Sequence, residues 1–138
     1  MVQLNRKFAI YASAVVFIMS CLAAASDVKL TADPSVPAAG GKAHLSKDKN
    51  GNLKLRIEVY HLAKPGALTP AKQNYVVWTQ GRGKDPQNQG VLKVNDGLEG
   101  KLENTVTNED FDVFVTAEDN PTAVTPSEPK LLKGTIQP

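Results

Sequence analysis

The residues that could do chemistry are few and scattered. Ser46-Lys47-Asp48-Lys49-Asn50-Gly51 comes nearest to a metal motif. It echoes a calcium loop, in which alternating oxygen ligands precede a glycine. Ser46 stands where the first aspartate belongs, and Ile57 where the last glutamate would be. A hairpin turn explains the same residues, and they are read that way. The two histidines, His44 and His61, fall on an exposed strand face and at a strand end, whereas zinc needs three or four converging ligands. Gly81-Arg82-Gly83 is too short for a phosphate loop, and no helix follows it to offer an N-terminus. Glu118-Asp119 opens a turn, where such residues serve the backbone. No Ser-His-Asp grouping shows in the pattern. The expectation is a protein that is not an enzyme, with no catalytic residue, no metal ligand and no cofactor.

The aromatic residues are more suggestive. Asn74-Tyr75-Val76-Val77-Trp78-Thr79-Gln80 holds the only tryptophan. Branched and aromatic side chains suit a pleated surface, so this run predicts a strand. Tyr75 and Val77 share one face, Val76 and Trp78 the other, as in a central strand covered on both sides. With Val76 and Trp78 inward, Tyr75 points outward, and the same alternation turns Tyr60 and Phe114 outward. If their strands are neighbours, Tyr60, Tyr75 and Phe114 form one partner-binding patch. The alternative is that the proline loop Asn120–Pro129, or the segment before Lys42, covers them as a satellite core.

The elements that position these residues are short strands. Val28–Thr31 alternates as a first strand, before Pro34, Pro37 and Gly40-Gly41 break the chain. Leu53, Leu55, Ile57 and Val59 alternate with Lys54, Arg56, Glu58 and Tyr60, a period-two pattern with one apolar face. A loop of Lys49, Asn50 and Gly51, with Gly51 left-handed, closes that strand onto Lys42 and its successors as a hairpin. The register then sets Leu45 opposite Leu55, Ala43 opposite Ile57, Lys42 opposite Glu58 and His44 opposite Arg56. Ala63–Lys72 reads as a loop, Gly81–Pro86 as a turn, Gly90–Val94 as a strand and Asp96-Gly97 as a hairpin signal. Leu98–Val106, Phe111–Ala117 and Leu131–Ile136 complete the set. About eight short strands, with turns roughly every eight to twelve residues, predict an all-β, antiparallel two-sheet sandwich of immunoglobulin-like type. The expected core is Trp78, Val76, Phe111, Val113, Val115, Ile57 and Leu55.

A leader precedes the domain. Arg6 and Lys7, an uncharged run from Phe8 to Met19, and a stretch to Ser26 that is small apart from Cys21 and Leu22 have the form of a helical signal peptide over residues 1–25, with a single β-sandwich domain over 26–138. Cys21, the only cysteine, has two fates. It is removed with the leader, or, because Ile18-Met19-Ser20-Cys21 resembles a lipobox, it becomes a lipidated first residue. The chain has 16 Lys+Arg and 14 Asp+Glu, and the leader holds two of the basic residues and no acidic one. The domain is therefore balanced, and the basic excess is no argument for nucleic acid.

Tyr75-Val76-Val77-Trp78, the glycine turn after it, Phe114-Val115-Thr116-Ala117-Glu118, and Pro126-Ser127-Glu128-Pro129 before Leu131-Leu132-Lys133-Gly134 occur in that order. Over about Leu55 to Ile136 the chain resembles the extracytoplasmic C-terminal domain of the bacterial anti-sigma-K factor family. The resemblance implies a β-sandwich outside the inner membrane. Only Met1–Lys7 precede Phe8, so no sigma-binding region is expected, and sigma regulation does not carry over. The combined expectation is an extracytoplasmic module, periplasmic or secreted or lipid-anchored. It would act in envelope interaction or sensing with an envelope protein as partner, and meet the membrane only through the leader or Cys21. The alternative is a periplasmic protein that binds a small ligand or a metal.

Overall fold

The computed structural model describes residues 26–137; the expected signal peptide over residues 1–25, with Cys21, lies outside them. Eight antiparallel strands follow one another: β1 (Ser26–Ala32), β2 (Gly40–Lys47), β3 (Leu53–Tyr60), β4 (Asn74–Gln80), β5 (Gln87–Leu92), β6 (Gly100–Val106), β7 (Phe111–Glu118) and β8 (Leu132–Ile136). Among the described residues a single 3₁₀ turn, Pro65–Ala67, interrupts the loop before β4. The strands join in one sheet in the order β5-β4-β7-β8-β1-β2-β3-β6. β1 makes the sheet continuous. Ser26–Leu30 pair with β2, and Thr31 and Ala32 then pair with Lys133 and Leu132 of β8. The end strands β5 and β6 come back together through a bridge between Val94 and Gly100, so the sheet is nearly closed.

The β2–β3 hairpin forms in the register its sequence predicts, with Leu45 on Leu55, Ala43 on Ile57, Lys42 on Glu58 and His44 on Arg56. Gly51 sits at φ +83°. The Asp48 N–H donates to the Asn52 carbonyl (2.9 Å) and the Gly51 N–H to the Asp48 carbonyl (3.0 Å). The Asp96-Gly97 hairpin has the same frame but different chemistry. Its loop has three residues, and Leu98, not Gly97, takes the left-handed position at φ +61°. The Asn95 N–H donates to the Glu99 carbonyl (2.8 Å) and the Leu98 N–H to the Asn95 carbonyl (3.0 Å).

All seven expected core residues are buried, but in two separate clusters. Leu55, Ile57, Phe111, Val113 and Val115 meet Tyr75 and Val77 in the main core. Val76, Trp78 and Phe114 form a second cluster on the other side of β4 and β7, with Ala123 of the loop after β7 packed on it. The faces of β4 are therefore the reverse of the sequence reading, with Tyr75 turned to the main core and Trp78 away from it. Alternation identifies which residues share a face. Where both faces are apolar it does not say which face is the deeper one. The β4–β7 register decides, because Val77 lies opposite Val115 and Trp78 opposite Phe114.

Candidate functional site

The predicted patch of Tyr60, Tyr75 and Phe114 does not form. Tyr75 is fully buried, and its hydroxyl donates to the Ala63 carbonyl at 2.5 Å. Burial pushes that hydroxyl up to about 12. Phe114 is buried in the second cluster, stacked on Trp78 with 6.4 Å between ring centroids and with the Lys130 ammonium 4.4 Å from its own centroid. Tyr60 alone is exposed, at 40%. The satellite-core alternative describes Phe114: the segment after β7 lies over it.

That segment is held by a buried carboxylate. Glu118, 4% exposed, accepts from the Ser127 N–H (2.8 Å), the Ser127 hydroxyl (2.6 Å) and the Thr116 hydroxyl (2.6 Å). Thr116 in turn accepts from the Trp78 indole N–H at 2.8 Å. Burial pushes the Glu118 carboxyl up. The Ser127 and Thr116 hydroxyls, the Ser127 N–H and the Lys72 charge more than offset this and leave it below its ordinary value. Glu118, singled out in the sequence as a turn opener, is thus a brace for the loop.

His44 and His61 are apart, as the sequence predicts. His44 Nδ1 meets the Asp27 carboxylate across the β1–β2 pair, and the His61 ring stands edge-on to Tyr60 with centroids 5.8 Å apart. The carboxylate of the Ser46–Gly51 segment is spent on its own turn, since Asp48 accepts from the Asn50 N–H (2.8 Å) and the Asn52 N–H (2.9 Å).

Two regions have a geometry that the alternation of the sequence does not record. The first is at the Tyr60 end. His61 lies at φ +53° and Leu98 at φ +61°, and the Leu62 N–H donates to the Leu98 carbonyl at 3.1 Å, so the two strained residues are neighbours. A non-glycine residue in this region costs about 1–2 kcal/mol. Leu98 is 39% exposed, and the Tyr60 ring covers Gly40.

The second region is the seam where β5 and β6 part. Beyond the Val94–Gly100 bridge the strands splay, and one side chain ties them. Asn104 Nδ2 donates to the Gln89 carbonyl (3.1 Å) and the Gln89 Oε1 (2.8 Å), while Asn104 Oδ1 accepts from the Thr105 N–H (2.9 Å). Gln89 Nε2 donates to the Thr79 hydroxyl at 2.7 Å. The register shift in β5 opposite Val77 and Trp78, with Gly90 at φ +122°, sets Gln89 out toward β6. Past this tie the strands enclose a cleft of about 490 Å3, lined chiefly by amides and hydroxyls. Nothing in the periodicity announces it, because its walls come from the polar faces of β5 and β6 and from two turns.

Compared with protein-family models, with curated proteins and with solved structures, the chain matches none.

Proposed function

We propose that the chain is an extracytoplasmic β-sandwich module that binds a partner protein in the cell envelope, as an interaction or sensor domain and not as a catalyst. The single observation that carries this reading is the strained apolar end. Two neighbouring non-glycine residues, His61 and Leu98, sit in left-handed backbone beside exposed Tyr60. Backbone strain clusters at functional sites, and here it accompanies exposed apolar side chains at one end of the domain. The leader supports an envelope location. The resemblance to the anti-sigma-K outer domain supports both the immunoglobulin-like sandwich and the sensor role.

A photo-crosslinking amino acid tests this reading when placed at Tyr60, at Leu98 and, as control, at Lys49 on the β2–β3 turn, in cells producing the full chain. A discrete adduct from the first two positions and none from the third is the expected result. Equal labelling at all three, or none at any, overturns it. The β5–β6 cleft favours a second reading, binding of a small ligand.

A further inference from the structure

We propose that the cleft between β5 and β6 is a binding site for a neutral, polyhydroxylated ligand of the sugar class. The proposal rests on the second reading above and names its ligand. The volume of about 490 Å3 falls within the roughly 300–1,000 Å3 of small-ligand pockets.

The lining divides into a fixed wall and a free rim. Gln89 is fixed by Asn104 and Thr79. Asn88 is fixed as firmly: its Nδ2 donates to the Pro121 and Ala123 carbonyls, both at 3.0 Å, and its Oδ1 accepts from the Gly90 N–H at 2.9 Å. A wall locked before the ligand arrives removes part of the ordering penalty of binding. The rim side chains Gln87, Thr105, Thr107 and Asn108 all stand exposed in the cleft.

The chemistry of the rim selects the ligand. Its amides and hydroxyls each donate and accept hydrogen bonds. A sugar hydroxyl does the same, so neighbouring hydroxyls on one ring can be read by neighbouring rim groups. An ion would need a lining of one sign, but the cleft has one cation, Lys84, next in sequence to one anion, Asp85. An apolar ligand would need apolar walls, whereas here only Val106 and Phe111 supply them, both buried at the base. That narrow apolar base suits the C–H face of a sugar ring.

The test is a chemical-shift titration of the 15N-labelled protein, purified as the cell produces it. The probes are N-acetylglucosamine and maltotriose, with tri-alanine and inorganic phosphate as controls. The expected result is a shift of the Gln87–Gln89 and Thr105–Asn108 amides with a saccharide alone, at millimolar affinity. Replacing both Gln87→Ala and Asn108→Ala should weaken it at least about tenfold, as the loss of two hydrogen bonds implies, with the melting temperature unchanged. Shifts of the same amides by tri-alanine or phosphate instead overturn the sugar class and leave the small-ligand reading standing. Saccharide binding that survives the double substitution overturns the site. No shift with any of the four probes overturns both.

Discussion

Gly51 and Leu98 occupy equivalent positions in two loops of like construction, Asp48–Asn52 and Asn95–Glu99. In each, the first residue's side chain also takes the N–H of the last, at 2.9 Å from Asn52 to Asp48 and 3.0 Å from Glu99 to Asn95. Glycine meets the left-handed position at no steric cost, and leucine does not. Leu98→Gly should therefore raise stability by roughly 0.5–1 kcal/mol, the relief being partly offset by a freer unfolded chain. Gly51→Leu should lower it by about 1–2 kcal/mol. Urea unfolding midpoints measure both, and the crosslinking partner should be lost from Leu98→Gly as stability rises. Glu118 gives a pH prediction. Its folded-state carboxyl lies below the ordinary value of 4.5. Its contribution is thus fully present above the unfolded pKa and is lost as pH falls through the still lower folded value. Glu118→Gln should cost about 1–3 kcal/mol at neutral pH, because Ser127 and Thr116 lose a charged acceptor. It should also flatten the acid limb of the stability curve, measured by thermal melts across pH.

At the scale of elements, the β2–β3 hairpin was the most legible part of the chain. One apolar face, a cation set opposite a carboxylate and a glycine in the right loop position all favour one register, and that register forms. β4 was legible as a strand but not as to its faces, since Tyr75, Val76, Val77 and Trp78 are all apolar enough to be buried. The tie at Asn104 was not legible, because one asparagine on a polar edge strand carries no periodic signal. Its role follows from the bonds it makes. It occupies the Gln89 carbonyl and the Thr105 N–H, an acceptor and a donor on the two edges of the sheet. Open edges of this kind pair with other chains. Asn104→Ala should therefore leave the fold intact but promote concentration-dependent self-association, detected by light scattering of the purified variant against the parent protein.

At the scale of the molecule, two cores share one pair of strands. β4 and β7 are buried on both faces, toward the main core and toward the segment after β7. Trp78→Ala should cost about 3–5 kcal/mol although Trp78 lies outside the main core, and calorimetry should show the whole domain melting earlier, not the loop alone. The eight-strand, all-β architecture was legible from turn spacing. The joining of the strands in one nearly closed sheet was not, because it depends on β1 changing partners midway, which no local pattern records. That change of partner has a consequence in time. In synthesis from the N-terminus, β1 is delivered early and β8 late, yet Thr31 and Ala32 have no sheet partners until Lys133 and Leu132 arrive. Pairing between such distant segments forms slowly because loop closure precedes its reward. The order of synthesis thus delays completion of the sheet until the last strand has been made.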